Sequence, residues 1–140
     1  MSLDQAPLQP RWFGLFTRIT YLHQGLLLAF FVAALRGRSP GVVIQVGMAH
    51  LTGILLSVVI LAAMYGVASR KSLRALFWLR LILWIGVVKI FVVQLWLLSL
   101  GEIVFASYWR VLLLNELIGI PLALYWSRSV QQSYLASLRG

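Results

Sequence analysis

The chain has no cysteine. That absence excludes disulfides, thiolate nucleophiles, Cys-ligated zinc and iron–sulfur clusters. Acid is almost as scarce, with Asp4, Glu102 and Glu116 the three carboxylate side chains. General acid–base chemistry draws on paired carboxylates or on titratable groups held beside one another, so this inventory argues against an enzyme. There is no Gly-x-Ser-x-Gly elbow, Walker-type loop or His-Glu-x-x-His motif either. Charged residues make up 11% of the 140 positions, against about 25% in a typical soluble domain. Too little polar surface exists to cover a water-soluble globule.

What fills the chain instead is apolar: 61% of residues are hydrophobic and the mean hydropathy is +0.93. A helix needs about 20 mostly apolar residues to cross the hydrocarbon. Four segments qualify, at about 19–35, 42–68, 75–100 and 103–126. Uninterrupted helices are required, because lipid cannot satisfy exposed backbone groups. The links are short: Arg36-Gly-Arg-Ser-Pro-Gly41, Ser69-Arg-Lys-Ser72 and Ser99-Leu-Gly-Glu102. Short links make sequence neighbours antiparallel neighbours. The expected fold is all-α, a single transmembrane domain built as an up-down four-helix bundle. After Trp126, Val130, Tyr134, Leu135 and Leu138 recur at helical spacing, which reads as a short C-terminal interfacial helix or as a frayed end of the last span. The polar lead before Trp12 has no small-x-small cleavage site behind it, so the first span reads as an uncleaved anchor.

The net charge of +9 would suggest nucleic acid in a soluble protein. Here the basic residues flank apolar runs, without a basic face interleaved with aromatics. No nucleic acid is expected, and membrane orientation explains the charge. One side carries Arg11, Arg18, Arg70, Lys71, Arg74, Arg80, Arg128 and Arg139; the other carries Arg36, Arg38 and Arg110 with Glu102. The positive-inside rule then leaves both termini and the middle link in the cytoplasm. Trp12, Tyr65, Trp78, Tyr125 and Trp126 fall near one interface, and Trp96, Tyr108 and Trp109 near the other. Trp84 fits neither belt and is expected to pack. Arg80 is expected to snorkel to phosphate headgroups.

Ionisable groups inside a membrane are costly and are functional candidates by default. Lys89 and Glu116 fall close to the centres of the third and fourth spans, about equally far from the turn between them, and Gly86 and Gly119 repeat that relation. Pairing relieves an insertion cost of about 2.5–3.5 kcal/mol per charge. Glycines three residues from each charge would let the backbones approach, and Asn115 adds a further hydrogen-bonding group. The pair either binds an ion, a proton or a polar substrate group, or fixes helix register. Pro121 frees the carbonyl of Leu117 and is expected to bend the fourth helix.

Ala49, Gly53 and Ser57 form a small-xxx-small series on the second span, suited to packing within the bundle or to dimerisation. His23 and His50 raise haem ligation, but a turn centred near Arg38-Ser39 offsets them by about four residues, or ~6 Å along the axis. Metal-ligand spacing is missing. No cofactor is expected.

The end of the fourth span, Ile120-Pro-Leu-Ala-Leu-Tyr125-Trp-Ser-Arg-Ser-Val130 through Tyr134, and the basic link Arg70-Lys-Ser-Leu-Arg74 before the third span carry a resemblance. They resemble a family of small four-span bacterial inner-membrane proteins of unknown function. The resemblance implies a bacterial inner membrane and no particular activity. The expected role is a non-enzymatic accessory or scaffold protein docking on a larger membrane complex. Its expected partners are membrane lipids and other membrane proteins or further copies of itself. A small oligomeric transporter using Lys89 and Glu116, or a haem-binding electron carrier, are the alternatives.

Overall fold

The computed structural model describes residues 8–36, 47–101 and 105–138. Within them the chain is helical, with no strand: α1 (Phe13–Leu35), α2 (Gly47–Ala68), α3 (Leu73–Ser99), α4 (Phe105–Trp126) and α5 (Ser129–Ser137). Most of the turn expected at 36–41, position 102 of the turn expected at 99–102, and the 42–46 start of the second span lie outside the described residues. Phe13–Ala33, Leu51–Ala68 and Leu73–Ser99 are each long and apolar enough to cross a membrane. The protein is therefore a multi-pass membrane protein. Leu113–Trp126, within α4, is a shorter apolar stretch.

α1 starts six residues before the expected position 19. Hydropathy places the boundary at Arg18, but the backbone continues through Thr17 and Thr20, whose hydroxyls donate back to the Phe13 and Phe16 carbonyls at 2.8 and 2.7 Å. Those bonds let two polar side chains sit in a helix without seeking water. The α2–α3 link is tight. Ser72 caps α3 by accepting from the Ala75 amide at 3.2 Å, and its own amide donates to the Gly66 carbonyl at 3.1 Å. A Cβ at Gly66 would lie 2.6 Å from the Ala75 Cβ, so only glycine admits this approach. At the other end of α3, Gly101 takes φ +72°, the left-handed conformation that commonly ends a helix. Pro121 sits inside α4 without ending it.

α1 to α4 each pack chiefly on their sequence neighbours, α1 touches α4 little, and α5 packs on α3. The α1–α4 contacts fall on the first two turns of α1: Phe13 and Thr20 against Trp126, and Phe16 stacked on Tyr125 at 3.9 Å. The core gathers at that same end, from Phe13, Met64, Val67, Leu76, Leu79, Tyr125, Trp126 and Leu135, all buried. This corrects the reading of the aromatic belt. Trp12, Tyr65 and Trp78 are exposed as belt residues should be, but Tyr125 and Trp126 are core. Helix period explains the difference, since the neighbours of these two at 122 and 123 are buried as well while Leu124 faces out.

α5 is a separate helix and not a frayed end, because Arg128 turns the chain to an extended conformation before it begins. Its Leu135 is buried and its Tyr134 meets the Phe13 ring edge-on at 5.5 Å. Val130 and Leu138 stay exposed.

Candidate functional site

Helix ends leave carbonyls without partners, and the end of α4 is met by α3. The Arg80 guanidinium donates from Nε to the Trp126 carbonyl at 2.6 Å, and from its two terminal nitrogens to the Arg128 carbonyl at 2.7 Å and Gln132 Oε1 at 3.0 Å. Trp84, one turn further along α3, donates from its indole to Ser127 Oγ at 2.9 Å. From α1, Thr20 Oγ1 accepts from the Trp126 indole at 3.0 Å, and the Tyr125 hydroxyl donates to the Arg11 carbonyl at 3.0 Å. The Lys71 ammonium lies 5.0 Å from the centre of the Phe13 ring.

Together these contacts form a polar latch that ties α1, α3, α4 and α5 at one end of the bundle. Seven residues into α3, the Arg80 guanidinium is engaged by three protein acceptors, which the fork geometry of arginine matches at once. Trp84 is half-exposed and is held by the same junction. Sequence reasoning missed the latch, although one signal was present: an arginine level with the end of the neighbouring helix.

The α3–α4 hairpin has a definite register. Arg80 meets Trp126, and a Cβ at Gly119 would touch Val87 at 3.9 Å. Lys89 and Glu116 therefore lie at the same depth to within one residue. Across α1 and α2, a Cβ at Gly53 would stand 2.7 Å from the Phe31 ring. That ring in turn lies under the Lys89 ammonium, 5.8 Å from its centre. Phe31, Gly53, Lys89 and Glu116 thus form one layer through four helices. Glu116 is 8% exposed, and its Oε2 has no hydrogen-bond partner. Asn115 beside it is half-buried. The Lys89 ammonium is within cation–π range of the Phe31 ring.

The glycines behave differently from expectation. Gly86 has open space where a Cβ would stand, and Gly119 an ordinary contact, so neither forces close backbone approach. The close approaches are at Gly53 and Gly66. Gly53 and Ser57 of the small-residue series are buried, and Gly53 receives an α1 side chain, which is packing within the bundle. The side chain of Ala49 lies outside the described residues, as does that of His50.

Haem ligation by both histidines fails on register. With Phe31 against Gly53, His23 lies eight residues to one side of that level and position 50 three to the other, a separation of about 16 Å at 1.5 Å per residue. The level of Gly53 with Phe31 makes this offset wider than the expected four residues. His23 Nδ1 is 3.3 Å from Gln24 Nε2. Among the described residues, no three His, Asp or Glu side chains gather as metal ligands. A scan of protein-family models, curated proteins and solved structures finds no match to the chain.

Proposed function

We propose that this protein is a non-enzymatic accessory or scaffold subunit of a bacterial inner membrane that docks on a larger membrane complex. One observation carries the reading: the polar side chains of the latch are spent on joining helices. Arg80, Trp84, Thr20 and Tyr125 each serve a helix junction, while the outward faces carry apolar residues such as Leu55, Phe77, Val88, Val92 and Leu117. Such a body acts through its lateral surface. The inner-membrane location rests on the resemblance of its last span and basic link to small four-span bacterial proteins.

In this reading α4 also crosses. Its 22 residues make about 33 Å of helix, enough for a hydrocarbon core of about 30 Å. Both termini and the 69–72 link then share the cytoplasmic side. Extraction in mild detergent tests the role: the protein migrates with partner subunits or further copies. A solitary monomer in every detergent contradicts it.

A second reading is favoured by Glu116. A buried carboxylate with an orphaned oxygen at mid-helix suits a small transporter or ion-conducting oligomer that uses Lys89 and Glu116 to meet a proton or cation. Liposome flux measurements on Glu116→Gln and Lys89→Met, singly and together, separate the two. Flux that vanishes with Glu116→Gln supports transport, whereas no flux in wild-type protein leaves the carboxylate a packing element.

A further inference from the structure

Where the 69–72 link closes the α2–α3 hairpin, Arg70, Lys71 and Arg74 gather within five positions. The Arg70 and Arg74 side chains are exposed and that of Lys71 is half-buried. The sequence gives these cations no neighbouring acid, since no Asp or Glu occurs from Gln5 to Gly101. Among the described residues, Glu116 is the one carboxylate side chain. With Val87 level with Gly119, Glu116 stands roughly 24 Å further along the bundle than Arg74, at 1.5 Å per residue. That is well beyond the screening length of about 8 Å at physiological salt.

Aromatic rings set the depth of this surface. Tyr65, near the end of α2, and Trp78, near the start of α3, are both exposed, and such rings settle at headgroup level. The Arg70 guanidinium carbon lies 5.9 Å from the centre of the Tyr65 ring. Arg74 and Trp78 stand one turn apart on the same face of α3. The cations are thus held at the height of lipid phosphates. Lys71 adds a backbone observation. Its φ of +50° falls in the left-handed region that favours glycine, yet the position carries a third cation, whose ammonium lies 5.0 Å from the centre of the Phe13 ring.

We propose that the α2–α3 link is a recognition surface for anionic phospholipid, whose phosphate neutralises Arg70, Lys71 and Arg74. A zwitterionic lipid such as phosphatidylcholine brings its own cation to the phosphate and leaves this surface less well satisfied. Charge complementarity selects the occupant, and the exposed Tyr65 and Trp78 rings put it in the bilayer instead of in solution. The inference does not depend on the scaffold reading.

The test gives delipidated full-length protein equal amounts of phosphatidylglycerol and phosphatidylcholine, and native mass spectrometry reads which lipid is retained at one lipid per protein. A basic side chain beside an anionic surface is worth about fivefold in affinity, so wild-type protein should prefer phosphatidylglycerol by at least about tenfold. Raising the ammonium acetate concentration should shrink that preference, because salt screens exposed charges. The exposed double variant R70Q/R74Q should cut the preference at least about fivefold. R36Q/R110Q, which removes as much charge from exposed positions at the opposite helix ends, should leave it in place. Equal retention of the two lipids by wild-type protein, which needs no variant to fold, overturns the proposal and leaves the surface to an acidic protein segment. An equal loss of preference in both double variants also overturns it, because net charge and not this link would then set the selectivity.

Discussion

Replacing Arg80 by lysine separates two uses of a cation near the end of a spanning helix. A snorkelling side chain needs a charge and a flexible stem, and lysine supplies both. A latch needs three donors fixed in a plane, and lysine cannot reach the Trp126 carbonyl, the Arg128 carbonyl and Gln132 together. Interhelical hydrogen bonds in membrane proteins average about 0.6 kcal/mol and reach about 1.7. Losing two of the three therefore costs roughly 1–3 kcal/mol, and Arg80→Met, which loses all three, roughly 2–5 kcal/mol. The stranded carbonyls of α4 push toward the upper values. Two readouts suit the chain. Denaturant titration in mixed micelles gives the global stability. The absence of native cysteine lets one introduced at the exposed Ser133 report undocking of α5 by its labelling rate. Arg80→Lys should label faster and unfold earlier than wild type, with Arg80→Met worse again. Full retention of stability and protection by Arg80→Lys would refute the latch and restore the headgroup role.

Other substitutions probe the same architecture. Trp126→Phe removes the indole donor to Thr20 and keeps most of the ring packing, so it should cost about 1 kcal/mol. Combined with Thr20→Val the two losses should be less than additive, as a double-mutant cycle will read. Gly66→Ala meets the Ala75 Cβ at 2.6 Å and should destabilise by about 1–3 kcal/mol through overpacking. Gly86→Ala meets nothing within 4 Å and should be neutral or stabilising by up to about 1 kcal/mol, from helix propensity. Equal effects of the two alanines on thermal stability would contradict the packing described.

Much of the fold was legible because membrane helices announce themselves by run length, and the short 69–72 link forces its helices to be neighbours. The depth match of Lys89 with Glu116 came from counting residues from the turn, and the contact of Val87 with Gly119 fits that count. Side-chain direction was not legible. All-apolar spans carry almost no amphipathic signal, so nothing in the run around Trp126 marks it as buried and Trp78 as exposed. Gly66 reads as an ordinary glycine until the partner helix is in place, and Gly86 as a close approach that does not occur. The latch was hidden for a related reason: the acceptors are backbone carbonyls, which every residue has, and only the geometry at the end of α4 makes them available.

Everything proposed for the latch requires that α4 return the chain to the side where α1 begins. Single cysteines placed at Gln9, Ser69, Gly101 and Ser133 in the cysteine-free chain, probed with a membrane-impermeant thiol reagent in intact and inverted vesicles, test this directly. Positions 9, 69 and 133 should react from one side, and position 101 from the other. Reaction of positions 101 and 133 from the same side would contradict the account.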